Sequence, residues 1–284
     1  MGTTLREHQK IMYDMLCEFD GICRRHAIPY ILFAGSALGA VRHKGFIPWD
    51  DDLDVLLLRP DYDRFLAAAG KELSGSLFLQ KEFSEHWPVF FSKIRKNGTA
   101  CMEKAVPKDR MQHQGIYIDV FPCDNLSDNG FVRKIQFFAS KIVIAKSLDK
   151  RGYLTDSRLK KIFMSFCRLL PLKPFLSIAK NKKAGDSKMV NTFFAASSAY
   201  KKSIFKREWI TDTELIRFED GEFPVSRHYD EMLTTLYGDY MKVPTESERA
   251  CKIHALKVDA EHPYTEYLDW QAEQKIDVYT RSIR

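Results

Sequence analysis

Apolar residues at Leu5, Met12, Leu16, Phe19 and Cys23, three to seven positions apart, trace one face of a helix over residues 4–26. After Pro29 the short run YILFA is uninterrupted, a buried strand ending at Gly35-Ser36. Ala37 to Arg42 reads as a short helix, HKGFIP as a loop and Asp52 to Leu58 as a second strand. Pro60 and Asp61 then open an amphipathic helix that runs to about Leu73. Ser74-Gly75-Ser76 is a turn, and SLFLQKEF and VFFSKIRK alternate as strands. Asn97-Gly98 signals a hairpin into TACME, and GIYIDVFP (115–122) alternates around Asp119.

Past residue 129 the pattern changes. Phe131, Ile135, Phe138, Ile142 and Ala145 share one helical stripe among lysines. RLKKIFMSFCRLLPLKPFLSIAKNKK repeats the theme, broken at Pro171 and Pro174. From 222 the chain returns to a mixed texture ending in RHYDEMLTTLYGDYMKVP. These patterns predict an α+β fold: a mixed sheet flanked by helices, with a basic helical subdomain. They divide the chain into a core at 1–128, a helical insert at 129–210 and a segment at 211–284 that packs back on the core.

Composition narrows the class. The 284 residues can bury a full core, and 45% apolar with 29% charged residues is ordinary for a globular protein. MGTTLREHQKIMYDML has neither an apolar h-region nor a small-residue cleavage site, so no secretory signal is expected. No run approaches the roughly 18 apolar residues of a membrane span. The six cysteines form no C-x-x-C pair and read as reduced side chains of a cytoplasmic protein. The net charge of +6 hides an asymmetry: residues 129–207 hold 19 Lys and Arg against 3 Asp and Glu, which leaves the remainder acidic. A basic insert with long apolar stripes fits peripheral contact with an anionic surface at the inner face of the plasma membrane better than it fits nucleic acid.

The candidate chemistry centres on GFIPWDDDLDVLLLRPDYDRF (45–65). Residues two apart on a strand face the same side, so Asp52 and Asp54 project together while Leu53 and Val55 enter the core. Paired like charges need neutralising, and Mg²⁺ (or Mn²⁺) does so with one or two carboxylates, waters and substrate phosphates. Asp119, framed by Ile118 and Val120, supplies a third acid if its strand lies alongside. Gly35-Ser36, between a strand and a helix, suits phosphate, because glycine admits a close backbone approach and a helix N-terminus offers free N–H groups. Arg42 and Lys44 follow as phosphate partners.

GSALGAVRHKGFIPWDDDLDV, GIYIDVFPCDN and YGDYMKVP together resemble the LicD family of the nucleotidyltransferase superfamily, which includes fukutin-type relatives. The resemblance covers 26–66, 89–125 and 223–254. It implies a nucleotidyltransferase-like core in which Gly35 and Ser36 hold phosphate, Asp52 and Asp54 hold metal, and Asp119 is the third acid, which ligands the metal or takes the proton from the acceptor hydroxyl. The interval from Gly-Ser to the first acid is longer than usual, so the pair is either 52/54 or 50/52, with Asp50 an alternative ligand. The implied reaction is Mg²⁺-dependent transfer of phosphocholine from CDP-choline to a hydroxyl of a cell-surface glycan or glycolipid precursor, such as teichoic acid, lipopolysaccharide or capsule. Fukutin-type relatives imply instead ribitol phosphate from CDP-ribitol. Lys93 and Arg42 are then candidate phosphate contacts, and Trp49, with Trp87 and Tyr117 nearby, a candidate choline wall. Two further readings stand beside this one: a true nucleotidyltransferase acting on an NTP, and a glycan- or nucleotide-binding protein with an inactive site.

Overall fold

The computed structural model describes residues 2–104, 107–153, 155–181, 187–192, 202–250 and 253–273. It opens on helix α1 (Leu5–Arg25), whose first turn is closed by a reciprocal cap. Thr4 Oγ1 accepts from the Glu7 N–H, and Glu7 accepts from the Thr4 N–H at 2.7 Å. Strand β1 (Ile31–Leu32), helix α2 (Ala34–His43), strand β2 (Asp54–Leu58) and helix α3 (Arg59–Glu72) follow. Then come β3 (Leu77–Gln80), β4 (Ser92–Lys96), β5 (Ala100–Glu103) and the long β6 (Tyr117–Leu126). Helices α4 (Gly130–Lys150), α5 (Arg158–Leu169) and α6 (Leu172–Lys180) precede β7 (Met189–Asn191) and β8 (Ile204–Lys206). The last part holds α7 (Glu208–Thr211), β9 (Thr213–Phe218), β10 (Gly221–Ser226), α8 (Tyr229–Tyr237), α9 (Glu246–Ala250), β11 (Ala255–Asp259) and α10 (Leu268–Glu273). The architecture is α+β.

Strand β6 organises the main sheet. It pairs in parallel with β2 and antiparallel with β4, and farther along with β7, so the order is β1-β2-β6-β4-β3 with β7 and β8 appended. The run DVLLL is apolar throughout because both faces of the sheet are covered. On one side Val55, Leu57, Ile118 and Val120 pack with Met12, Leu16, Phe19 and Phe65 from α1 and α3. On the other, Leu56, Phe121 and Cys123 meet Phe33, Phe205, Ile210 and Met232. Alternation therefore puts Asp54 and Asp119 on the second face, one step before Leu56 and Phe121.

Three sequence expectations shift. Helix α2 starts at Ala34, which takes a positive φ of 46°, so Gly35-Ser36 lie inside its first turn and not ahead of it. Strand β2 starts at Asp54, leaving Asp52 in the lead-in. Asn97-Gly98 does turn the chain, with Gly98 at φ 72°, but β5 pairs with β11 and not with β4. Pro171 caps α6, and Pro174 is tolerated because it falls in the first turn, where N–H groups have no helical partner.

The helices α4–α6 pack on one another around Ile142, Ala145, Cys167 and Phe175, and a buried ion network ties them to the sheet. Arg59 grips Asp124 through two hydrogen bonds of 2.6 and 2.9 Å and Glu82 at 2.7 Å, and Lys180 of α6 donates to the same Glu82 at 2.6 Å. Removing the guanidinium strands buried carboxylates. Arg59→Met is therefore expected to cost about 3–5 kcal/mol of folding free energy, read as a lowered urea midpoint with an unchanged slope.

Candidate active site

The parallel register of β2 on β6 sets Asp54 directly opposite Asp119, and the antiparallel register of β4 sets Lys93 opposite Asp119. All three side chains are buried. Lys93 Nζ lies 3.1 Å from Asp119 Oδ1 and 3.7 Å from Glu103 Oε1, and 3.1 Å from the centre of the Tyr117 ring. Burial, then the charges of Asp52 and Asp119, push the Asp54 carboxyl well above the usual range. Burial likewise raises Asp119 to about 6, against the pull of Lys93. Glu103 goes the other way: burial alone favours its neutral form, but Lys93 and Arg95 hold it down to about 2.

The acid-rich lead-in is shaped from both sides. Ser36 Oγ accepts from the Asp54 N–H at 2.8 Å, so the Gly-Ser turn fixes the start of β2. A Cβ at Gly35 would fall 2.7 Å from Asp50 Oδ2, so only glycine lets this carboxylate lie against the helix. Asp51 turns away from the other acids and accepts at 2.8 Å from the N–H groups of both His254 and Ala255. That anchor brings the His254 ring to Asp52, with Nδ1 3.2 Å from Oδ2. The contact with Asp52 raises His254 to about 9.

Part of this set borders a cavity of about 180 Å³. Asp52, Asp119, Lys93 and His254 line one part, and Trp87, Phe91 and Tyr117 supply aromatic surface, with Glu103 and Arg151 also on its wall. Sequence reasoning missed Glu103 and Arg151. The first is an acid at the end of a strand whose partner, β11, is some 150 residues away in the chain; the second closes a basic helix like many other cations there. Tyr237 at the end of α8 was also missed. Burial, then the charges of Asp54, Asp52 and Asp50, push its hydroxyl up.

Other expected site residues are held elsewhere. Arg42 donates to the Tyr240 carbonyl at 2.7 Å, and its guanidinium carbon stands 6.0 Å from the Trp49 ring centre. The same ring is covered by Arg249 at 3.9 Å, so a protein cation already occupies the face assigned to choline. Lys44 ends α2 in the left-handed conformation, exposed, roughly 13 Å along the helix from Gly35 at 1.5 Å per residue.

Residues 27–148 match "LicD/FKTN/FKRP, nucleotidyltransferase domain". They carry a LicD family domain. Every site acid named above and the whole aromatic wall fall within this LicD domain, whereas Arg151, Tyr237 and His254 lie beyond it. Over a longer span the chain is 28% identical across 267 residues to "Lipopolysaccharide cholinephosphotransferase LicD" of Haemophilus influenzae, covering 87% of this chain and 94% of that protein. Short matches of 37% over 54 residues and 38% over 50 residues connect it to uncharacterized proteins of Rickettsia typhi and Rickettsia prowazekii, covering 18% and 19% of those proteins.

Among the described residues no three His, Cys, Asp or Glu side chains meet in a ready-made metal cage. The donor set nonetheless suits a hard cation that takes part of its shell from a substrate. Asp54 and Asp119 face each other in register, and the buried Asp119 Oδ1, though ion-paired with Lys93, receives no well-aligned hydrogen bond within the protein. Ser36→Ala leaves the buried Asp54 N–H unpaired and frees the start of β2. It is expected to cost about 1–3 kcal/mol in a urea titration, with Ser36→Thr retaining most of the stability.

Proposed function

We propose that this chain transfers phosphocholine from CDP-choline to a hydroxyl of a cell-surface glycan precursor and releases CMP. The observation that carries the reading is the cavity itself, where carboxylates and a buried lysine at one part adjoin aromatic faces at another. That combination suits a molecule with a diphosphate at one end and a cation without N–H groups at the other. The aromatic walls already hold a cation: Lys93 Nζ lies against Tyr117, and at 5.6 and 5.8 Å from Trp87 and Phe91, so those two rings are the better wall for a trimethylammonium group. The name of the Haemophilus relative supports choline over ribitol.

In this reading Asp52 and Asp54 would hold Mg²⁺, with Asp50 as a supporting or alternative ligand, and the ion when bound would offset the diphosphate charge and the charge on departing CMP. Lys93 and the first turn of α2 at Gly35 and Ser36 orient phosphate oxygens. The acceptor hydroxyl oxygen forms a bond to the phosphorus that carries choline, and the bond from that phosphorus to the CMP oxygen breaks. The hydroxyl proton passes to Asp119, whose burial favours the protonated form. Arg151 and His254, on the cavity wall, set where the acceptor enters.

A panel of CDP-choline, CDP-ribitol, CDP-ethanolamine and CDP-glycerol, scored for CMP release with glycan acceptor present, tests the proposal. CDP-choline is expected to be turned over fastest, and Asp119→Asn to slow it by about 10²–10⁴-fold while circular dichroism shows the chain still folded. Pyrophosphate release from an NTP, or full activity in Asp119→Asn, contradicts it.

A further inference from the structure

The apolar stripe along α4 is not evenly buried. Ile142 and Ala145 are covered by Phe163, Met164 and Cys167 of α5. Phe131, Ile135 and Phe138 lie on the same helical face, starting one turn away, and are exposed, Phe131 at 74%. Helix α5 adds a second strip. Leu159, Ile162, Phe166 and Leu169 recur at helical spacing on the side turned away from Cys167, and Leu159 and Leu169 are 80% and 84% exposed. Seven large apolar side chains left exposed on two packed helices mark a surface that meets something other than water.

The charge around these strips has one sign. Residues 158–181 contain six Lys and Arg and no Asp or Glu. Arg168 is engaged by Asp149 and Lys180 by Glu82, while Arg158, Lys160 and Lys161 of α5 and Lys173 of α6 are exposed. No single described helix is long and apolar enough to cross a membrane, and α5 and α6 meet at a bend of 103°. A second copy of the chain is a poor occupant, because a two-fold contact would set these cations against themselves.

We propose that the α4–α5 face docks on an anionic lipid bilayer. Phe131, Ile135, Phe138, Leu159, Ile162, Phe166 and Leu169 enter the boundary between headgroups and acyl chains, and the four exposed cations stay at the level of the lipid phosphates. The surface lies outside the acid cavity, so this goes beyond the proposed reaction and does not depend on which donor is used.

Co-sedimentation of the full chain with vesicles is the test, run without donor or acceptor so that a wrong donor assignment leaves the result untouched. The chain is expected to pellet with vesicles of mixed phosphatidylglycerol and phosphatidylcholine, and to stay in solution with phosphatidylcholine alone. Combining Leu159→Ser, Ile162→Ser, Phe166→Ser and Leu169→Ser should weaken binding by about tenfold or more. The gentler pair Arg158→Gln and Lys161→Gln should weaken it as well and reduce its salt dependence, with circular dichroism melts confirming that both variants fold. Wild-type chain that ignores phosphatidylglycerol vesicles, folded variants that pellet as wild type does, or a solution dimer that Phe166→Ser splits would each overturn the proposal.

Discussion

The arrangement depends on one constraint: two buried carboxylates set opposite each other by the parallel pairing of β2 and β6. Asp54 and Asp119 repel, and burial removes the water that would screen them. Left alone, that pair would weaken the sheet at its centre. Lys93 is delivered to Asp119 by the β4 register, and Glu103 and Arg95 share out the remaining charge. The sheet thus offsets part of its own negative charge and leaves Asp54 with its carboxyl pushed toward neutrality. A site poised in this way gains most from a ligand that brings positive charge to the open side of the pair.

Around that pair, each supporting contact fixes an acid in a separate direction. Ser36 holds the Asp54 backbone, Gly35 makes room for Asp50, and Asp51 pins the chain at His254 so that the imidazole reaches Asp52. Three consecutive aspartates therefore do three different things. Only Asp51 is spent on the fold, and its partners come from the far end of the chain.

The alternating apolar pattern made much of this legible. Leu53 and Val55 do enter the core, and the frame around Asp119 is a strand beside that of Asp54. Strand period reveals which residues share a face, and that is enough to group the acids. It does not reveal partners distant in sequence. The pairing of β5 with β11, which carries Glu103 and His254 to the site, has no local signal, so Asn97-Gly98 reads as a hairpin that is not made. Trp49 reads as a choline wall near the acids because its cover, Arg249, lies 200 residues on. The α4 stripe shows the same limit: periodicity says which face is apolar, not how much of it a neighbour covers.

The claim that Asp52 and Asp54 hold a cation bound together with a diphosphate, beside the Asp119 carboxylate, is tested most directly by calorimetric titration of CDP-choline with Mg²⁺ present and with EDTA. Linkage requires each ligand to tighten the other by the same factor. The account predicts that Mg²⁺ strengthens nucleotide binding severalfold in the wild type and that Asp54→Asn abolishes this coupling while the chain stays folded. Equal affinity with and without the cation, or coupling that survives in Asp54→Asn, would contradict it.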